Sequence, residues 1–384
     1  MSVVDRPVRV ALPCTGLGRQ RRGFEAFTRE VHAALRGAEG VELAVYAGGG
    51  DLAEGERAIW NLPRTSRAGL AVARLIGRGS YFVEQATFFA GFLPYLLWWQ
   101  PDLVYFADLN LGNALWHWRR LSGQRFTMLY YNGGPTTRPY TRTDFVQQVT
   151  PAHFAAAVER GESEQRMFVL PHGFNLPPVP RPRDSARTME VRAAFGVPEG
   201  KRMLLSVGML GDTLKRMGVL VEAVASMGTE RPHLVMLGQE TPETAALATR
   251  AEALLGSGVW MGTWPRERMD DAYDSADVFA LLSLSEGFGL AYVEALAAGL
   301  PCVAQDNSNT RYILGDHAYL GDTATPLSVA ELLGRALEEA PDEARRNRRH
   351  AWVREHFSWE VLASRYCEML LACAAGARPS WSNE

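Results

Sequence analysis

The residues best suited to chemistry lie in one short string, SEGFGLAYVEALAAGLP. Gly287 and Gly289 permit a tight turn with exposed backbone amides, and a helix is predicted to begin near Leu290. Such amides, together with the helix dipole, bind anions such as phosphate. Glu286 lies in the turn and Glu294 follows on the helix, where a carboxylate can accept bidentate hydrogen bonds from a vicinal diol such as a ribose. The string therefore predicts a site for a phosphorylated ligand that is rich in hydroxyl groups.

Lysine is rare in this chain. Of the 40 basic residues only Lys201 and Lys215 are lysine, which together with abundant alanine and glycine is typical of a GC-rich coding bias. Each remaining lysine is therefore a candidate for a specific role. Lys201 lies in the polar turn PEGKR and is expected to be solvated. Lys215 lies in SVGMLGDTLKR, directly after a predicted strand.

A second glycine-rich turn, GLGRQRRG, follows the first predicted strand. It is either a plain strand-to-helix turn or a phosphate or acceptor contact that involves Gly18. The polar side chains of this turn are Arg19, Gln20, Arg21 and Arg22. His172, in LPHGF, is predicted to end a strand at the ligand-binding edge, with or without a direct ligand contact.

Strand and helix patterns that could position these motifs alternate almost throughout the chain. In the first half the predicted strands are VRVALP (8–13), VELAVYAG (41–48), DLVYFA (102–107), RFTMLYY (125–131) and MFVLP (167–171). In the second half they are RMLLSVG (202–208), HLVMLG (233–238), VWMG (259–262), DVFALLS (277–283) and PCVAQD (301–306). Helices are predicted between the strands, including one from about Phe24 to Leu35 and one that starts at Pro151 after the N-cap Thr150. This alternation predicts the α/β class, with doubly wound parallel sheets.

The proline-rich segment PPVPRPRDSAR (177–187) breaks the alternation and is predicted to connect two domains. The predicted domains are 1–180 and 181–357, followed by a C-terminal helix and polar tail over 358–384. Ligands of doubly wound folds bind at the carboxyl ends of the strands. A ligand is therefore expected in a cleft between the two halves.

Composition excludes several classes of protein. The chain is 47% hydrophobic and 22% charged, and its 40 basic and 43 acidic residues give a formal charge of −3. These values indicate a soluble globular protein rather than a disordered, collagen-like or nucleic-acid-coating one. The four cysteines have no metal-ligand spacing and suggest no disulfide framework, which fits a reducing cytosol. The apolar run near the N-terminus is too short for a signal peptide.

The most apolar stretch is FFAGFLPYLLWW, from Phe88 to Trp99. It is too short to span a bilayer and is interrupted by Pro94. A buried helix is expected there, and a membrane-facing or acceptor-lining surface is the alternative.

The string that holds Glu286 and Glu294 resembles the donor-site motif of retaining glycosyltransferases of family 4. Four other segments extend the resemblance over nearly the whole chain: GLGRQRRGFE, FVLPHGFNLP, LLSVGMLGDTLKRMG and FSWEVLASRYCEML. The resemblance implies the GT-B fold, in which two Rossmann-like domains face a central cleft. It also implies an N-terminal acceptor domain, a C-terminal donor domain, a last helix that crosses back to the first domain, and closure of the cleft around the substrates.

The resemblance assigns roles to individual residues. Glu294 would hold the ribose hydroxyls of a nucleotide sugar, and Glu286 would contact the transferred sugar. Lys215, with Arg216 beside it, would neutralise the diphosphate leaving group, whose negative charge grows as the bond breaks. The backbone amides that would bind sugar hydroxyls and diphosphate are those of Gly287, Phe288, Gly289 and Leu290. The further donor-binding candidates are Gly208, Gly18 and His172.

The chain departs from the family pattern at three places. Gly208 is followed by Met209 where an arginine is usual, so that a second phosphate cation would be Arg216, Arg19, Arg21 or Arg22, or is missing. Asn132 stands where a histidine is usual; it can bind a sugar hydroxyl but cannot act as a base. The loop NSNTRYILG lacks the usual diglycine and glutamate. A base is not essential, because in this family the departing phosphate is thought to accept the acceptor proton.

The function predicted from the sequence is retaining transfer of a sugar from a nucleotide-diphosphate sugar to a glycan, glycolipid or small-molecule acceptor. Glu286, Lys215 and Asn132 are the catalytic candidates. No cofactor and no bound metal are expected, and the absence of a D-x-D string fits this. No nucleic acid partner is expected, and the predicted location is cytoplasmic or peripheral at the inner face of a membrane. The alternatives are a catalytically silent nucleotide-sugar or glycan-binding protein and, with weaker support, a dinucleotide-dependent oxidoreductase.

Overall fold

The computed structural model describes residues 6–20, 23–134, 139–182 and 186–383, which form two compact units. Unit 1 combines Met1–Phe174 with Trp359–Glu384, and unit 2 is Asn175–Ser358. The division therefore falls before the proline-rich segment, whereas the sequence placed it within that segment.

Unit 1 is built on a parallel sheet of seven strands in the order β3-β2-β1-β4-β5-β6-β7. The strands are β1 (Val8–Cys14), β2 (Val41–Ala47), β3 (Glu56–Ala58), β4 (Leu103–Phe106), β5 (Thr127–Asn132), β6 (Phe145–Gln148) and β7 (Met167–Val169). The helices are α1 (Gly23–Leu35), α2 (Arg67–Leu75), α3 (Ser80–Trp99), α4 (Leu109–Ser122) and α5 (Pro151–Glu159). The predicted start of α5 is confirmed, because Thr150 caps it by accepting a hydrogen bond from the His153 amide at 3.3 Å.

Unit 2 is built on a parallel sheet of six strands in the order β10-β9-β8-β11-β12-β13. The strands are β8 (Met203–Val207), β9 (His233–Leu237), β10 (Val259–Gly262), β11 (Val278–Leu281), β12 (Cys302–Gln305) and β13 (Ala318–Gly321). The helices are α6 (Ala186–Ala194), α7 (Met217–Ser226), α8 (Thr244–Leu255), α9 (Met269–Ser275), α10 (Leu290–Ala297), α11 (Ser308–Leu314), α12 (Pro326–Glu339) and α13 (Glu343–Phe357). The predicted α/β class is therefore confirmed in both units.

The last helix, α14 (Trp359–Ala374), belongs to unit 1. Its Tyr366 hydroxyl donates to the Pro171 carbonyl at 2.7 Å and accepts from Gln147 Nε2 at 2.9 Å. All of these side-chain groups are buried, so that the helix is fixed to the sheet by polar contacts as well as by its apolar side chains.

The described part of the predicted connecting segment makes hydrogen bonds and an ion pair. The Arg346 guanidinium donates to the Arg181 carbonyl, and His350 Nε2 lies 2.8 Å from the Pro177 carbonyl. Arg181 also pairs with Asp270 at 2.9 Å. The segment therefore packs on α13 and α9 of unit 2, and residues 183–185 lie outside the described part of the chain.

Helix α3 contains the apolar stretch, and the predicted buried helix is confirmed for one of its faces. Phe88, Phe92 and Leu96 are at most 1% exposed, while Trp98 is 75% exposed. No helix in the described residues combines the length and apolarity that crossing a membrane requires.

Both sheets have a point at which the strand order reverses. In unit 1 the chain winds outward from β1 to β3 and then continues at β4 on the other side of β1. In unit 2 the same reversal separates β8 from β11. The loops that follow these strand pairs diverge, which leaves a crevice where ligands of doubly wound folds bind.

Candidate active site

The strongest catalytic candidates meet at the reversal point of unit 2. Lys215 lies in the loop after β8 and Glu286 in the loop after β11, and Lys215 Nζ donates to Glu286 Oε1 at 2.5 Å. The two side chains are only 16% and 14% exposed. A cation and a carboxylate are therefore held together at the edge of the sheet where a ligand is expected.

The loop that carries Lys215 is fixed by two acidic side chains. Asp212 accepts a hydrogen bond from the Gly218 amide in the first turn of α7. Glu243 accepts from the Thr213 hydroxyl, from the Thr213 amide at 3.1 Å and from the Asp212 amide at 2.6 Å, and these bonds lower its pKa. Lys215 is thus presented by a rigid turn, a property that suits a group meant to stabilise charge.

Gly208 lies under the stem of Lys215. A Cβ atom built at Gly208 would make ordinary van der Waals contact with Lys215 Cδ and Cε at 3.4 Å, so that the lysine stem packs along this part of the backbone. Met209, which replaces the expected arginine, is 40% exposed and supplies no cation.

Arg216 is the cation closest to Lys215 along the chain, and its backbone is unusual. Its φ of 54° places it in the left-handed region, which a residue other than glycine rarely adopts. This geometry turns the chain into α7 and directs the guanidinium to Thr323, whose hydroxyl accepts from Nη1 at 3.1 Å. Thr323 in turn donates to Gln305 Oε1 at 2.7 Å. Arg216 is thereby tied to the last residue of β12 and to the loop after β13.

The glycine turn of the donor string has the predicted form. Gly289 has a φ of 88° and directly precedes α10, so that the amides of this turn lie at a helix N-terminus. The Tyr292 hydroxyl donates to the Leu281 carbonyl at 2.6 Å and fixes the helix to β11. The Phe288 ring is buried against Phe357, with ring centroids 5.6 Å apart, which leaves its backbone amide as the group for a ligand. Leu290 begins the helix, and anion binding by these four amides remains a prediction.

Glu294 lies in α10, one turn after the first residue of the helix, and follows Glu286 in the sequence. Its Oε2 accepts from the Tyr273 hydroxyl at 2.7 Å. Burial raises the pKa of Glu294, and the hydrogen bond from Tyr273 offsets part of that effect. A partly buried carboxylate with one oxygen already oriented is suited to a diol, and the ribose contact stays a prediction.

The candidates of unit 1 are engaged in contacts within that unit. The Gly18 carbonyl accepts from the Asp51 amide at 2.9 Å, and a Cβ atom at Gly18 would stand 2.5 Å from the Gly49 carbonyl oxygen. Arg19 donates to Asn61. The first glycine turn is thus packed against the loop after β2, while Arg21 and Arg22 lie outside the described residues.

Asn132 and His172 are both buried. The Asn132 amide nitrogen donates to the Tyr140 hydroxyl at 2.9 Å and to Gln148 Oε1 at 2.7 Å. His172 Nδ1 lies 2.9 Å from the Gly173 carbonyl, and its ring packs on Phe27 with centroids 4.8 Å apart. These contacts describe interior positions at strand ends, and ligand contacts by either residue remain predictions.

The structure adds a polar cluster that the sequence reasoning did not identify. Asp108 follows β4, and its carboxylate accepts from the Thr15 hydroxyl, which follows β1, at 2.6 Å. It also accepts from the Tyr81 hydroxyl and from Gln85 Nε2, the latter at 3.2 Å. Asp108 is only 5% exposed and lies at the reversal point of unit 1. An acid directly after a predicted strand, as in DLVYFAD, was the available signal.

Comparisons of sequence relate the chain to glycosyltransferases. The family Glycosyl transferases group 1 matches residues 188–354. The D-inositol 3-phosphate glycosyltransferase of Xylanimonas cellulosilytica is 32% identical over 239 residues, 57% of this chain and 54% of that protein. The N-acetyl-alpha-D-glucosaminyl L-malate synthase of Bacillus anthracis is 25% identical over 182 residues, 46% and 47% of the two chains. The chain thus spans about half the length of the curated relatives it matches.

Solved structures extend the likeness to the whole fold. Sucrose-phosphate synthase of Thermosynechococcus elongatus superposes with a TM-score of 0.75 at 20% identity, over 96% of this chain and 100% of that one. Anabaena HepE in complex with UDP-glucose gives a TM-score of 0.75 at 14% identity, over 94% and 99% of the two chains. At these identities the likeness concerns the fold, and it confirms the predicted GT-B class. The family match covers residues 188–354, most of unit 2, and over that range the chain is similar to the glycosyl transferases group 1 family.

Proposed function

We propose that the chain is a retaining glycosyltransferase that uses a nucleotide-diphosphate sugar as donor. The contact between Lys215 and Glu286 at the reversal point of unit 2 carries this proposal, because a cation suited to phosphate and a carboxylate suited to sugar hydroxyls lie side by side there. The N-terminal turn of α10, adjoining Glu286, adds backbone amides for the diphosphate. Unit 2 is thereby the donor-binding unit.

In the proposed reaction the bond between the anomeric carbon and the β-phosphate oxygen breaks, and its electron pair leaves with the diphosphate. The acceptor hydroxyl oxygen forms the new bond on the same face of the sugar, and its proton passes to the departing phosphate oxygen. Lys215 and Arg216 supply positive charge where negative charge develops, which favours the transition state over the ground state. No step requires a side-chain base, so that the buried Asn132 does not obstruct the mechanism.

The nature of the substrates follows from the relatives as a proposal. HepE was solved with UDP-glucose, which makes UDP-sugars the first donors to test. Several relatives are named D-inositol 3-phosphate glycosyltransferases, which makes a phosphorylated polyol the first acceptor to test. Glu294 is proposed to bind the ribose of the nucleotide.

The proposal is tested with a pair of identical substitutions at the two lysines of the chain. We expect Lys215→Arg to lower sugar transfer by roughly 100-fold, because a bulkier fork cannot replace a compact ammonium fixed against Gly208 and Glu286. Lys201→Arg, at an exposed site, is the control and should transfer as the wild type does. The measurement is release of nucleoside diphosphate with UDP-, GDP- and dTDP-sugars.

Two outcomes would count against the proposal. Nucleotide binding without release from any donor would favour the silent binding protein. Equal rates for Lys215→Arg and the wild type would show that any cation suffices at this position, and equal rates for Lys215→Ala and the wild type would remove Lys215 from its assigned role.

A further inference from the structure

Unit 1 contains a segment whose charge is opposite to that of the whole chain. Residues 57–143 hold ten arginines and three acidic residues, a net charge of +7, whereas the chain as a whole carries −3. Each of the three acids already has a partner: Glu84 pairs with Arg64 at 2.5 Å, Asp102 pairs with Arg6 at 2.9 Å, and Asp108 accepts hydroxyl hydrogen bonds. Asp144, which pairs with Arg119, lies one residue beyond the segment, and with Asp144 counted the net charge is still +6.

The longest helix of this segment, α3, has an apolar outer side. All of its residues are described, and its exposed positions are Phe82, Ala86, Ala90, Pro94, Leu97 and Trp98. Steps of four residues turn by about 40° each, so that the exposed positions from Phe82 to Trp98 form a band that winds through about 160° around the helix over a length of about 24 Å. Surface helices normally carry polar side chains on the side that faces water. We refer to these six exposed residues as the α3 face.

Arginines flank the α3 face on the neighbouring helices, α2 and α4, which both pack against α3. On α2, Arg67 and Arg74 are exposed, and Leu75 beside them is 86% exposed. Arg78, in the turn between α2 and α3, lies over the Phe82 ring at 5.6 Å. On α4, Arg120 precedes Leu121, which is 85% exposed. Arg78 thus contacts the α3 face directly, and the other exposed arginines and leucines lie on the two helices that pack against α3.

We propose that unit 1 docks on an anionic phospholipid bilayer through the α3 face. Its apolar side chains, Trp98 above all, would enter the boundary between lipid headgroups and acyl chains. The bordering arginines would bind lipid phosphates, for which the guanidinium fork is well suited. A second copy of the chain is a poorer occupant, because it would bring two surfaces of the same charge together.

Docking also brings the membrane close to the polar cluster of unit 1. Tyr81 precedes Phe82 at the start of α3, and its hydroxyl donates to Asp108 at the reversal point of the sheet. A bilayer that covers Phe82 therefore lies beside the ligand-binding edge of unit 1.

The test is sedimentation of the full chain with vesicles of two compositions, phosphatidylcholine alone and phosphatidylcholine with an equal amount of phosphatidylglycerol. We expect the wild type to pellet with the anionic vesicles and to stay in solution with the neutral ones. The double variant Ala90→Glu and Trp98→Glu should bind anionic vesicles at least about tenfold more weakly. Its control is Val179→Glu and Leu327→Glu, which changes the charge equally at two unit 2 positions that are each 67% exposed.

A second pair of variants separates the charge from the apolar contribution. Neutralising two bordering cations, Arg67→Gln with Arg74→Gln, should weaken binding to the anionic vesicles about tenfold without creating binding to neutral ones. Circular dichroism confirms that each variant is folded.

The proposal is overturned if the folded wild type fails to pellet with anionic vesicles, or if the Ala90→Glu, Trp98→Glu variant pellets as the wild type does. A third outcome also overturns the proposal. In it, no vesicles bind, and light scattering shows that the wild type is a dimer and that this variant is a monomer. The α3 face would then be the interface between two copies of the chain. Each of these readouts is independent of sugar transfer, so that a failure here leaves the proposed activity untouched.

Discussion

Glu294 is partly buried, and burial disfavours the charged form of a carboxylate. A carboxylate that binds a diol needs that charged form. Burial raises its pKa above the ordinary value of a glutamate, and the Tyr273 hydroxyl counters this by donating to Oε2. When the pH falls, this carboxylate therefore takes up a proton at a higher pH than an exposed glutamate does.

This balance predicts how donor binding depends on pH. Affinity for UDP-glucose should fall as the pH is lowered from about 8 to about 5, because the protonated carboxyl loses acceptor capacity for the ribose hydroxyls. The diphosphate of a nucleotide sugar is a diester and stays ionised over this range, so that the change reports on the protein. Isothermal titration with the wild type and Glu294→Gln makes the measurement. The variant should bind weakly with a flatter pH profile, and an unchanged profile would place the titrating group elsewhere.

At the scale of elements, the close approach of β8 and β9 at their carboxyl ends supports the candidate site. Gly238 follows β9, and a Cβ atom built there would stand 1.6 Å from the carbonyl oxygen of Gly208. The Gly238 amide also donates to the Gly262 carbonyl at 3.0 Å. Gly238 therefore sets the position of Gly208, and through it the path of the Lys215 side chain.

Gly238→Ala should accordingly damage both stability and activity. Backbone atoms have to move to admit the methyl group, at a cost of about 1–3 kcal/mol in the free energy of unfolding. Gly334→Ala is a matched control, because Gly334 lies inside α12 with nothing within 4 Å of its added Cβ, and alanine there should add about 0.5–1 kcal/mol. Urea unfolding of both variants measures the difference. A Gly238→Ala protein as stable as the wild type would mean that the loops adjust freely.

At the scale of the whole molecule, the two units are organised differently along the chain. Unit 2 is one continuous segment, Asn175–Ser358, whereas unit 1 needs the C-terminal residues from Trp359 onward. Helix α14 buries Tyr366, Met369 and Leu370 completely within unit 1. Removing α14 would expose this apolar surface and leave the side chain of Gln147 without its Tyr366 partner.

We therefore expect the fragment 175–358 to fold alone and to bind the same nucleotide sugars as the full chain. A chain truncated after Ser358 should lose the cooperative unfolding of unit 1 while unit 2 still melts. Scanning calorimetry of the full chain and both fragments makes the comparison. An unfolded 175–358 fragment, or a truncated chain that keeps a stable unit 1, would contradict this organisation.

Local sequence signals were sufficient for the main strands and for the donor turn. The periodicity of apolar residues located β1, β8 and β11, and a glycine turn before an apolar helix predicted the α10 N-terminus at Leu290. Three strands, β3, β6 and β13, escaped prediction, because ERA and FVQQ are at least half polar and AYLG has no β-branched residue. Their place depends on pairing with a neighbouring strand rather than on their own residues.

The sequence by itself determined the α/β class, the family resemblance and the residue types of the candidate site, because strand periodicity, turn glycines and motif spacing are local properties. Only the tertiary structure decided which of those residues meet. Lys215 and Glu286 are 71 residues apart in the chain, and Thr15 and Asp108 are 93 apart. Each pair is joined because the sheet order reverses between the strands that precede them, and strand order is decided by packing between distant segments.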